Sequence, residues 1–535
     1  MSAHCASFPL CPTVRIRMFT PPDSLAGCAA QCVMVRLGSH LPPVVTAEAD
    51  LPRRLHLLEM HPIGGVLLFR AATPDVAHTL SELQGVASIP LLVAADVERG
   101  IGQQVQGATL FPHARALAQT PDPVAAAAMV GDVTAREART CGIHLALAPV
   151  ADVNTYALNP IIGVRSFGTK PDIVSACVQA YINAAQDLGL ATTAKHFPGH
   201  GRTVTDSHAT LPTVDASDEE MQHVDLPPFQ TAIDAGVEAM MTAHVAYPAL
   251  GAEGPATASQ TLLHDRLREA MGFSGLIVSD SLRMDAVQSP ACSPSALVQA
   301  GVDLLLDPVD ATTVVEELVA AVQDGRLAEE RLREACNRVL ALKRTMHERW
   351  GPKAFVPTDV NDEMGTASTC ADADRLAWEA LTLTRSKAIP WPLSRDAVSD
   401  GTDLMVVHLT QQATDKAMPL KEAFHEAYPS VVYRTWHPGT SSAEQEAIRT
   451  LGHDRPNLVV VCTTTPAAWH AFGLSREQRL LLHEWMAARP VVLGVLGSAE
   501  ALPALPDATA TICTYSDVPA AQRALVRALV QGTEH

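Results

Sequence analysis

The stretch Lys195-His196-Phe197-Pro198-Gly199-His200-Gly201, followed by Asp206-Ser207-His208, is the strongest chemical signal in the sequence. Its glycines and proline read as a loop that can move. In an extended segment, residues i and i+2 point to the same side, so Asp206 can bond one ring nitrogen of His208 while the other faces a substrate. A histidine held by a carboxylate suits a group that must act first as an acid and then as a base near neutral pH. Asp280 follows the apolar run 275–279 and reads as a carboxylate fixed at a strand end. A fixed carboxylate opposite a mobile proton donor is the arrangement for retaining glycoside cleavage: one group attacks the anomeric carbon and the other protonates the departing oxygen. Here His208 takes the place of the second carboxylic acid. Lys195, His196, Arg165 and Asp96 would then grip sugar hydroxyls, with His244 at a neighbouring strand end. The rival reading gathers His196, His200, His208 and Asp280 around a metal. No HxH pair follows the first strand and no HExxH occurs, so neither metal nor cofactor is expected.

Such groups need a scaffold that brings distant segments to one rim. Short apolar runs recur at 32–37, 66–69, 91–95, 145–150, 191–194, 239–242, 276–278 and 302–306, with helix-length stretches between them. Continuous rather than alternating apolar runs suit parallel strands buried on both faces. Eight β/α units predict an α/β fold built on a TIM (β/α)8 barrel; an open doubly wound sheet is the competing arrangement. In such a barrel reacting groups come from the carboxyl ends of strands, and here third to seventh strand ends carry Asp96 and Glu98, Asp152 and Asn154 with Arg165 beyond, Lys195 and His196, His244, and Asp280. Any one of these reads equally well as a helix cap or turn residue. Five strand ends carrying them argue for a site.

Residues 1–23 are expected to be an N-terminal extension, 24–350 the barrel, 351–400 a linker with a packing helix near 371–383, and 401–535 a smaller C-terminal α/β domain with a mostly parallel sheet. Strand-like runs at 404–408, 431–434, 458–462, 491–496 and 511–514 support the last. The 535 residues carry 39 Lys+Arg against 58 Asp+Glu, a net charge of -19, with no basic block, which speaks against nucleic acid or an anionic membrane as partner. A small carbohydrate remains the expected partner; oligomeric state is not legible. The 11 cysteines are scattered and show no CxxC pair, as expected of reduced thiols in a cytoplasmic protein. Neither a signal peptide nor a transmembrane run is apparent.

KHFPGHG followed by DSH, with APVADVN, NPIIGVRSFG, MTAHVAYPAL, GLIVSDSLRM and GVDLLLDP, resembles the barrel domain of glycoside hydrolase family 3, in its β-N-acetylglucosaminidase branch. The resemblance covers about 24–345. It implies that Asp280 is the nucleophile, that Asp206 and His208 form the acid/base dyad, and that Lys195, His196, Arg165 and Asp96 bind the terminal sugar. It also implies release of terminal β-linked N-acetylglucosamine with retention, typically from cell-wall fragments in peptidoglycan recycling. The family's DQEGGRVxR segment departs here, with Gln104 at the position of its second arginine. A β-glucosidase or phosphorylase of the same fold, and an inactive sugar-binding protein, are the alternatives.

Overall fold

The computed structural model describes residues 19–205, 210–357, 363–385, 391–411, 418–465, 473–498, 500, 502 and 510–532. Strands β1 (Val33–Leu37), β2 (Gly65–Leu68), β3 (Leu92–Ala95), β4 (Leu145–Ala146), β5 (Ala191–Phe197), β6 (Ala239–Thr242), β7 (Leu276–Val278) and β8 (Leu305–Leu306) form one parallel sheet in the order 7-6-5-4-3-2-1-8. Its two ends meet at a parallel bridge from Val278 to Leu304, and the Leu306 N–H donates to the Ser279 hydroxyl at 2.9 Å. The eight expected runs therefore close as a (β/α)8 barrel. β4 is shorter than the run 145–150, but backbone bonds continue beyond it, from the Leu147 N–H to the Ala95 carbonyl and from the Thr193 and Lys195 N–H groups to the Ala148 and Pro149 carbonyls.

Strand alternation sorts the side chains. Met34, Leu92, Ala94, Ala191, Leu276 and Val278 point into the lumen and form one apolar cluster with Val339, Leu342 and Met346 of the helix Glu329–Trp350, which plugs the amino-terminal end. The same parity carried upward sets Arg36 above Met34, Asp96 above Ala94, Lys195 above Ala191 and Asp280 above Val278. A polar layer thus rests on a hydrocarbon floor. Outside the sheet, the helices Pro123–Cys141 and Pro171–Asp187 bury Val130, Val133, Val174 and Val178 in the outer core. They approach closely because residue 131 is glycine: a Cβ there would lie 2.6 Å from the Tyr181 carbonyl.

The second sheet contains β9 (Thr382–Arg385), β10 (Leu404–Leu409), β11 (Val432–Trp436), β12 (Asn457–Thr463), β13 (Val492–Leu496) and β14 (Ala510–Cys513) in the order 9-14-13-12-10-11. All neighbours are parallel except β9, which runs antiparallel to β14. The helix expected near 371–383 spans Ala367–Glu379; the β-branched pattern Thr382-Leu383-Thr384 joins the open sheet edge instead. Both faces of the sheet are covered, with Val406, Val459 and Val461 in one core and Val407, Val460 and Val495 in another. The turn after β14 meets the barrel: Ser516 Oγ lies 2.8 Å from His113 Nδ1, and Asp517 Oδ1 lies 3.9 Å from Arg99 Nη1. Among the described residues every cysteine is free, and no helix is long and apolar enough to cross a membrane.

Candidate active site

At the carboxyl rim of the barrel, Lys195 Nζ lies 2.8 Å from Asp96 Oδ1 and 2.8 Å from Glu98 Oε1. Arg165 reaches the same Glu98 with two parallel bonds, Nη2 to Oε1 at 2.7 Å and Nε to Oε2 at 3.0 Å. Lys195 is 1% exposed, a depth at which an unpaired ammonium would be neutralised. Burial pulls its proton affinity down, but Asp96 and Glu98 outweigh it and the group stays a cation. Burial likewise pushes the Glu98 carboxyl up, and Arg165 and Lys195 reverse this, holding it well below the usual carboxylate range. Asp96 is the more open partner, its side chain 30% exposed. The result is a charge-matched grid with one accessible carboxylate.

A second carboxylate organises the histidines. Asp152, fully buried, accepts from the backbone N–H of His196 and of His200 and lies 2.7 Å from His196 Nδ1. This fixes the ring so that His196 Nε2 faces Arg165 Nη2 at 3.4 Å. His200 sits edge-on to His196, ring centroids 5.8 Å apart, and burial depresses its proton affinity to about 4, with His196 adding to the shift. Asp280 acts on His200 in the opposite direction, more weakly.

Asp280 is half-buried beyond β7. Its Oδ1 accepts from the Ser281 N–H at 2.7 Å, and Ser281 Oγ donates to Asp307 Oδ2 at 2.8 Å. Arg283 Nε also reaches Asp307, at 3.1 Å. The segment after Asp280 forms a turn, because side-chain oxygens of Asp280 and Ser281 take the backbone N–H groups of Ser281 and Arg283. His244 is turned toward Thr257 and the Ser281 carbonyl, 2.7 and 3.1 Å from its two ring nitrogens, so its visible contacts hold the Asp280 turn. Asp206 and His208 lie outside the described residues.

A family model described as the glycosyl hydrolase family 3 N-terminal domain matches residues 42–342. The chain belongs to glycosyl hydrolase family 3. Among family 3 relatives, a β-N-acetylglucosaminidase/β-glucosidase of Cellulomonas fimi is 34% identical over 65% of this chain and 62% of that protein, so the chain spans less than two thirds of its length. A β-hexosaminidase A of Pseudoalteromonas piscicida is 30% identical over 70% of this chain and 67% of that protein. The solved family 3 β-N-acetylglucosaminidase from Paenibacillus sp. str. FPU-7 superposes with a TM-score of 0.80 at 29% identity, covering 95% of this chain and 98% of the other. A β-glucoside phosphorylase at 21% identity and a TM-score of 0.83 shares the fold.

Within this family 3 barrel, Gln104 occupies the departing position in a defined way. Its Nε2 donates to the Asp96 carbonyl at 3.2 Å and its Oε1 lies 2.9 Å from Nε2 of the exposed His40. Four groups of the cluster carry no role in the sequence reading: Glu98, Asp152, Asp307 and Arg36, the last bonded to Asp307 through Nε at 2.7 Å. Glu98 and Asp152 stand at strand ends and were visible as such. Arg36 and Asp307 are 271 residues apart in sequence, and only closure of β8 onto β1 makes them neighbours.

Proposed function

We propose that this chain is a retaining exo-glycosidase that removes terminal β-linked N-acetylglucosamine from small saccharides, with cell-wall fragments in the cytoplasm as the natural source. Asp280 attacks the anomeric carbon as the bond to the leaving oxygen breaks, and His208, steadied by Asp206, gives that oxygen its proton. Water then attacks the glycosyl-Asp280 ester while His208 takes the proton back, and the sugar leaves with its configuration retained. Asp96, Lys195, Arg165 and His196 hold the sugar. One observation carries the reading: above the apolar floor of the barrel, Lys195, Arg165, Asp96 and Glu98 form a buried, charge-matched grid whose open member is Asp96, and the half-buried carboxylate of Asp280 follows β7 at the same carboxyl rim. A rigid grid of this kind recognises hydroxyls without having to reorganise, and the likeness to a β-hexosaminidase and a β-N-acetylglucosaminidase supports the reading.

Trapping with a fluorinated N-acetylglucosamine donor, followed by peptide mass analysis, tests the covalent step. Label on the peptide spanning 275–285 is expected; inhibition without label would sink it. Asp280→Ala should abolish turnover, and His208→Ala should slow poor leaving groups by roughly 10² to 10⁴-fold while sparing good ones. A second reading, activity on glucosides, is favoured by the dual name of the Cellulomonas fimi relative. Paired para-nitrophenyl N-acetylglucosaminide and glucoside assays, each with and without inorganic phosphate, separate hydrolase, glucosidase and phosphorylase behaviour.

A further inference from the structure

The stem of the loop between β5 and the dyad is pinned one residue at a time. The Tyr247 hydroxyl donates to the Gly199 carbonyl at 2.8 Å, Asn159 Nδ2 donates to the His200 carbonyl at 3.0 Å, and Asp152 accepts from the His200 N–H at 2.6 Å. A further contact is ionic. Arg202 Nε donates to Asp225 Oδ2 at 2.8 Å, from a side chain 22% exposed to one that is fully buried. Asp225 closes the π-helical turn Met221–Asp225 and belongs to none of the sugar-facing groups.

The other oxygen, Asp225 Oδ1, is buried and among the described residues has no hydrogen-bond partner. It lies beside Gly199, where a Cβ would come 2.9 Å from the Asp225 Cβ and 3.4 Å from Oδ1. Gly199 has φ +135, a value that an L side chain rarely adopts, so the loop passes over Asp225 at glycine-only distance. A buried carboxylate satisfied on one oxygen alone is costly unless its charge is matched. Burial raises its proton affinity to about 6 while Arg202 opposes the rise, so the pair keeps the carboxylate ionised at neutral pH.

We propose that Asp225 and Arg202 are positioning residues for proton delivery: their ion pair fixes the chain at Arg202, four residues before Asp206, and through that anchor governs how efficiently the proton is transferred. The proposal rests on the acid/base assignment to Asp206 and His208, and it adds a group on a separate element that governs how well that acid reaches the leaving oxygen. Such an anchor acts on the step in which the proton moves and leaves the sugar grid untouched.

The test uses the full chain and a series of aryl N-acetylglucosaminides of graded leaving-group acidity. Asp225→Asn and Arg202→Gln should each lower kcat/KM by about 10- to 100-fold for the poorest leaving groups and by less than about 3-fold for dinitrophenyl. The double variant should lose no more than the worse single variant, and inhibition by free N-acetylglucosamine should be unchanged. Arg202 is partly exposed, so its variant keeps the test open should Asp225→Asn fold poorly. A steep leaving-group dependence in His208→Ala beside indifferent Asp225 and Arg202 variants would overturn the anchor alone. A flat dependence in His208→Ala beside a steep one in Asp225→Asn would overturn the assignment of the acid alone. Equal losses on all leaving groups, or a raised inhibition constant, would reduce the pair to a packing element.

Discussion

Two carboxylates share Lys195, and they answer to different constraints. Glu98 is the inner one, 11% exposed, and holds both Arg165 and Lys195; Asp96 is the outer one and holds Lys195 only. Removing one partner of a buried ion network strands the others at a cost of about 3–5 kcal/mol, whereas an accessible carboxylate is cheaper to lose. Glu98→Ala should therefore lower stability by about that amount in urea melts, together with activity. Asp96→Ala leaves Lys195 paired with Glu98 and should act chiefly on KM. Similar stability losses in the two variants would contradict this division. The residue types here were readable from sequence, since Asp96 and Lys195 stand at strand ends and Arg165 lies in the loop beyond the fourth. That Glu98 is the common partner of Lys195 and Arg165 was not, because three separate segments must converge before that partnership exists.

At the scale of elements, the helix Glu329–Trp350 carries a lysine into the amino-terminal end of the barrel. Lys343 is fully buried, with Gln31 Oε1 at 2.7 Å as partner, and burial lowers its proton affinity to about 7, against smaller opposing effects of Cys336 and Cys32. Between that value and the ordinary lysine range the unfolded chain holds a proton that the folded chain has released. Stability therefore rises with pH across the window from about 7 to the lysine range and is reduced below it. Lys343→Met should flatten this rise in Tm between pH 7 and pH 10; an unchanged slope would place the lysine's titration elsewhere. The plug role of this helix is not legible in the sequence, since it follows from which face of the helix meets a lumen that exists only after closure.

Across the whole molecule, three buried histidines in two cores share one electrostatic condition. His144, His200 and His408 each have a proton affinity lowered to about 4, foremost by burial. For a histidine lowered in the folded state, the stability it contributes is present above the unfolded value near 6.5 and is lost as pH falls toward 4. Thermal stability should thus drop steeply over that window. His408→Gln, at a site where Nε2 lies 2.8 Å from Thr463 Oγ1, should make the drop shallower by roughly one proton.

The sequence by itself located the eight barrel strands and five of the six strands of the second sheet, because short continuous apolar runs between helix-length stretches suit parallel strands covered on both faces. It also determined which residue types stand at the strand ends, and the motifs Lys195-His196, Asp-Ser-His and Ser279-Asp280 pointed to sugar chemistry before any contact was known. The tertiary structure alone decided the partnerships: Glu98 with Lys195 and Arg165, Asp152 with two histidines, Asp307 with Arg36, Asp225 with Arg202. It also sent Thr382–Arg385 to a sheet edge and bent the chain after Asp280 into a turn. The physical reason is common to these cases. Local pattern fixes the burial and periodicity of a segment, whereas the charge balance of a buried group depends on whichever distant groups closure of the fold places against it.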